Sequence, residues 1–101
     1  MTWQEVLGDF DRDLRARGCA ERTRHAYASD LGRFSEWAEG MGREPGDLRH
    51  REIRRFAAGL SSGGAAPATV ARKLAAVRGL YDFLVRRGDL EQNPADLVST
   101  R

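Results

Sequence analysis

Two groups of basic residues have the types and spacing to hold an anion. Arg22, Thr23, Arg24 and His25 are consecutive at what reads as the start of a helix. Positive side chains there oppose the helix dipole, which favours acids at the N-terminus. An anion docked on the free amides and these side chains would offset that cost. Thr69, Arg72, Lys73 and Ala76 follow the i, i+3, i+4, i+7 rule and so share one face of a later helix. Ala65, Ala66 and Ala68 lie just upstream. A helix with little bulk and a few long donors near its start can enter a major groove. Arg49, Arg51, Arg54 and Arg55 form a third cluster with Glu52 among them. The polar flank of a short helix accounts for that one. Taken alone, each of the first two also reads as a solvated face of an arginine-rich chain.

Catalytic chemistry finds less support. His25 and His50 fall in different helices, and neither has a metal-ligand partner at i+4. There is no His-Glu-x-x-His, no glycine-rich phosphate loop ending in Lys-Ser/Thr and no nucleophile elbow. Gly63-Gly64 precedes a helix, but a phosphate loop needs a strand before it. Tyr27 and Tyr81 sit on apolar stripes and read as core aromatics. Asp9, Asp11 and Asp13, interleaved with Arg12 and Arg15, read as a partly self-paired solvated face. Cys19 has no histidine nearby in sequence and reads as a free structural thiol. No cofactor and no metal site is expected.

Composition bounds the rest. The chain has 101 residues, 41% apolar and 32% charged, which suits one water-soluble domain with a modest core. One cysteine excludes an internal disulfide and a cysteine-based zinc site, and fits a reducing, cytoplasmic setting. No apolar run approaches a membrane span and the N-terminus lacks a signal-peptide layout, so no membrane partner is expected. The net charge is only +2, so a nucleic-acid site has to come from local clustering. Sixteen of the 17 basic residues are arginine, which suits bidentate contacts to phosphate and guanine, though coding bias produces the same enrichment.

Four helices must position these groups. The first opens with a capping box, Thr2 and Glu5, buries Trp3, Val6, Leu7, Phe10 and Leu14, and stops at Gly18. The second runs from about Arg22 to about Glu39 on a stripe of Tyr27, Leu31, Phe34, Trp37 and Ala38. A loop of Gly40, Gly42, Pro45 and Gly46 follows. The third spans roughly His50 to Leu60 with Ile53, Phe56, Ala57 and Leu60 inward. Ser61-Ser62-Gly63-Gly64 is read as a break. Pro67 begins the fourth, whose stripe is Val70, Leu74, Val77, Tyr81, Leu84 and Val85, and Gly88 ends it. Asn93-Pro94 starts a tail helix or turn through Asp96, Leu97 and Val98. The expected class is all-α: a compact four-helix bundle with a short C-terminal tail, successive helices packing on one another.

The order of these residues resembles the N-terminal core-binding, SAM-like domain of tyrosine recombinases of the Xer and phage-integrase type. Glu21 to Phe34 is similar to that family's Thr-x-x-x-Tyr-x-x-Asp-Leu-x-x-Phe helix, through Thr23, Tyr27, Asp30, Leu31 and Phe34. Ile53-Arg54-Arg55-Phe56 resembles its third helix, and Pro67 to Arg78 with Tyr81-Asp82-Phe83-Leu84 its fourth. Asn93-Pro94-Ala95 resembles the close of the domain. Several motifs in register over nearly the whole chain carry the resemblance.

The resemblance implies a DNA-binding domain over residues 1–98, with 99–101 the start of a linker to a catalytic domain. It implies a non-catalytic fragment of a DNA strand-exchange enzyme that acts as a tetramer, the fragment itself being monomeric. In the family, this domain and the catalytic domain clamp double-stranded DNA from opposite sides, and the second and fourth helices approach the major groove. Carried over by position, the DNA-binding residues are Arg22, Thr23, Arg24 and His25, then Ala68, Thr69, Arg72 and Lys73, with Arg78 matching a family arginine that either reaches phosphate or pairs within the domain. Thr23 and Thr69 are expected on phosphates, and Arg72 and Lys73 on bases or phosphates. Ala20 and Ala66 stand where the family often has Ser or Thr, which removes two side-chain caps. Gly32 and Gly79, inside helices, are expected to mark close helix approaches. The alternative is a helical protein-interaction domain indifferent to DNA, whose surface would be the first helix with Trp3 and its acidic run.

Overall fold

The computed structural model describes residues 1–96 and 98. Four α-helices account for most of them, and no strand occurs among the described residues: α1 (Trp3–Ala16), α2 (Glu21–Gly40), α3 (His50–Ser62) and α4 (Pro67–Arg86). This is the all-α class expected. No helix among the described residues is long and apolar enough to cross a membrane. The chain divides into two compact units, residues 1–47 and the part from Leu48 onward.

The first unit is α1 packed on α2, followed by a 3-10 turn at Pro45–Asp47 within the expected loop. Trp3, Val6, Phe10 and Leu14 recur at three- and four-residue spacing and are buried, as are Leu31, Phe34 and Ala38 of α2. Aromatic edges lock the pair. Trp3 meets Phe34 and Phe10 meets Tyr27, each edge-on with ring centroids 5.5 Å apart. Trp3 Nε1 also donates to the Arg43 carbonyl at 2.8 Å, joining the start of α1 to the loop after α2. Trp3 is thus core, 3% exposed, and takes no part in the surface that the protein-interaction alternative placed on α1. Among the described residues, the large apolar side chains that are exposed are Met1 and Met41.

The second unit is α3 packed on α4, with the tail after it. α3 buries Ile53, Phe56 and Ala57. α4 buries Val70, Leu74, Val77, Tyr81 and Leu84 of the expected stripe, with Val85 half-buried, and beside them Ala76, Leu80 and Phe83, so half of its circumference is inward. The tail forms a turn, not a helix, over Pro94–Asp96, and buries Ala95 and Val98. Leu97 and the linker residues 99–101 lie outside the described residues.

Helix ends follow local chemistry. Glu5 N–H donates to Thr2 Oγ1 and Thr2 N–H to Glu5 Oε1, completing the expected capping box. At α3 only half of such a box exists. Arg49 N–H donates to Glu52 Oε1 at 2.7 Å, while arginine has no acceptor to return the bond. All four helices close alike. A glycine with φ between 71° and 95° (Gly18, Gly42, Gly64, Gly88) follows the cap, and the next residue donates back to the carbonyl five positions earlier, as Asp89 N–H does to Leu84 O. Ser61 and Ser62 therefore belong to α3, and the break is Gly63-Gly64 alone. Gly32 is no close approach: a β-carbon there would meet nothing within 4 Å.

Candidate nucleic-acid interface

Neither α2 nor α4 has a side-chain cap at its N-terminus. Ala20 and Ala66 adopt extended cap geometry but carry no acceptor, so neither cap residue bonds the first-turn amides through its side chain. Around the start of α2, Arg22, Thr23 and His25 are exposed. His25 Nε2 lies 3.8 Å from Glu21 Oε1 one turn back, both largely in solvent. These three side chains are where an anion approaching the start of α2 would meet them.

Arg24 is placed differently. Its Nε and Nη2 donate to Asp11 Oδ1 and Oδ2 at 3.0 and 3.1 Å, a bidentate pair joining α2 to α1, and its side chain is only 15% exposed. The guanidinium hydrogen bonds hold the Asp11 carboxyl below its ordinary value and raise Arg24 above its own. Asp11 and Arg24 also line a small groove of about 90 Å³, otherwise walled by Phe10, Leu14, Tyr27 and Leu31. The other two aspartates of α1 pair locally, Asp9 with Arg12 as the interleaving suggested and Asp13 with Arg17 at the C-terminal cap rather than with Arg15.

On α4, Ala68 and Arg72 are exposed while Thr69 and Lys73 are half-buried. Ala76, expected on this face, is 4% exposed and belongs to the core. The physical reason is the second inward stripe. Thr69, Lys73, Ala76, Leu80 and Phe83 follow one another along a single line of the helix, polar at its start and apolar beyond. The expected basic face is therefore confined to the first two turns.

Arg78 is turned toward the tail. Its Nη2 donates to the Val98 carbonyl at 3.2 Å, and its own carbonyl accepts from Asn93 Nδ2 at 3.0 Å. The same Asn93 amide donates to Asp82 Oδ1 at 2.8 Å, and Asn93 Oδ1 accepts from Ala95 N–H at 2.8 Å. Asn93 and Arg78 together pin the segment after α4. Of the two uses left open for Arg78, on phosphate or within the domain, the structure gives it a partner within the domain. Asn93 is the buried polar residue that spacing alone missed, although an Asx turn before a proline was its signal.

Exposed basic residues thus stand at two helix starts without side-chain caps, and comparison with known proteins supplies the chain's family. Residues 7–88 match the family model of the phage integrase N-terminal SAM-like domain, and the chain belongs to that family. It is 34% identical over 102 residues to tyrosine recombinase XerC of Chlorobaculum tepidum, covering 93% of this chain and 30% of that protein. It is 30% identical over 97 residues to tyrosine recombinase XerD of the same organism, covering 95% and 32%. Tyrosine recombinase XerC of Mycobacterium leprae is 35% identical over 91 residues, covering 89% and 31%. The chain thus spans about a third of the length of these relatives. No solved structure matches it.

Proposed function

We propose that this chain is the DNA-engaging N-terminal domain of a site-specific tyrosine recombinase, and that the starts of α2 and α4 lie against the major groove of double-stranded DNA. The observation that carries the reading is the coincidence of two independent facts. The chain belongs to a family whose named relatives here are tyrosine recombinases, and its two uncapped helix starts bear exposed basic or hydroxyl side chains. Arg22, Thr23 and His25 serve α2, and Ala68, Thr69, Arg72 and Lys73 serve α4. Ala68 lets the duplex approach closely, Thr23 and Thr69 bond phosphates, and Arg72 and Lys73 reach bases or phosphates. Arg24 orients the start of α2 through Asp11, and Arg78 acts through the tail it anchors.

On this reading strand cleavage is the work of a further, catalytic domain, and this one binds without cutting. On DNA the full-length protein is a tetramer, and the domain alone is a monomer. Charge reversal at Arg72 and Lys73 tests the reading. The variant is expected to lose duplex binding, measured by fluorescence anisotropy at low salt, while keeping its helical circular dichroism. Unchanged affinity in a folded variant would contradict it.

A further inference from the structure

α3 carries a basic face that the starts of α2 and α4 do not account for. Arg51, Arg54, Arg55, Ala58 and Ser62 stand at i, i+3, i+4, i+7 and i+11, and all five are exposed. Ile53, Phe56 and Ala57 are buried on the opposite side. Glu52 is the one carboxylate of α3. It is 8% exposed and accepts the Arg49 amide proton, so the outer face presents no acid. α1 is built the other way, its Asp9 and Asp13 paired with Arg12 and with Arg17 at its C-terminal cap. The arginines of α3 are also gathered in its first two turns, at the positive end of the helix dipole, where cations are disfavoured. Beyond them the face holds only small side chains, so nothing there holds a flat, charged surface away.

We propose that the outer face of α3 is a further DNA contact, a ridge on which Arg51, Arg54 and Arg55 hold phosphates of the duplex backbone without reading bases. Guanidinium forks match phosphate oxygens, and Arg51 and Arg55 stand one turn apart with Arg54 beside them. The contact enlarges the footprint beyond α2 and α4 and adds affinity that does not depend on sequence. The inference rests on the DNA-binding reading above.

The test is the salt dependence of binding to a random duplex of about one and a half turns, for the 101-residue chain and three variants, all checked for fold by circular dichroism. R51Q/R54Q/R55Q removes the ridge. R12Q/R15Q/R17Q removes the same charge from α1. R72Q/K73Q weakens the α4 contact. Each phosphate contact contributes about 0.9 to the slope of log K against log salt. The ridge variant is therefore expected to flatten the slope by about 2 to 3, and the α1 variant by clearly less. Equal slopes for the ridge and α1 variants, with R72Q/K73Q still weakened, would overturn the ridge and leave the DNA-binding reading standing. Failure of the unaltered chain to bind duplex at low salt would overturn both.

Discussion

Asp11 and Arg24 are thirteen residues apart, and only the packing of α1 on α2 joins them. Read from the sequence, each belongs to a different surface: Asp11 to an acidic run, Arg24 to a basic cluster. Their bidentate bond makes them one structural unit and gives the first unit of the chain an acid-sensitive joint. The carboxyl is held below its ordinary value chiefly by the hydrogen bonds from Arg24. A group depressed in the folded state stabilises it above the unfolded value, about 3.9 for aspartate, and that contribution disappears as pH falls through the folded value. Urea midpoints of the unaltered chain should therefore fall between pH 6 and pH 3. Asp11→Asn should fall less over the same interval, keeping the share of Glu5, whose carboxyl is lowered by its bonds to Thr2. Equal falls would show that the pair contributes nothing.

At the scale of elements, helix ends were legible and one helix face was not. Thr2 with Glu5 is a signal three residues long, and glycine after each helix is a signal at a single position, so both are local. Gly88 has φ 88°, and Gly88→Ala should cost roughly 1–2 kcal/mol in urea unfolding because an L-residue resists that conformation. Gly32 is the opposite case. It lies inside α2 with open space where a β-carbon would go, so Gly32→Ala should stabilise by about 0.5–1 kcal/mol. A loss of stability there would contradict the open geometry. The face of α4 running through Ala76, Leu80 and Phe83 was hidden because alanine and the polar start of the stripe look solvated in a linear pattern. Burial of that face depends on tertiary packing, which periodicity does not encode. The tail is similar. Asn93 joins Arg78, Asp82 and Ala95 across a reach of up to fifteen residues, so Asn93→Ala should cost about 1–3 kcal/mol and speed amide exchange of Ala95 and Val98. Unchanged protection of those amides would mean that other contacts hold the tail.

For the molecule as a whole, a net charge of +2 is a weak field, and the distribution of charge matters more than its sum. The three aspartates of α1 are paired with arginines, whereas the starts of α2 and α4 and the outer face of α3 leave basic side chains exposed. The candidate site was legible in sequence as two clusters of residue types, because Arg, Thr and His at helix starts are a local feature. Which members point outward was not, since Arg24, Ala76 and Arg78 are placed by partners distant in the chain. The most direct test is a two-dimensional amide NMR titration of the chain with a random duplex of about one and a half turns at low salt. DNA engagement through α2 and α4 predicts shifts at residues 22–25 and 68–73 that reverse on adding salt. No shifts, or shifts centred on α1, would contradict it and leave the arginines as a solvated surface.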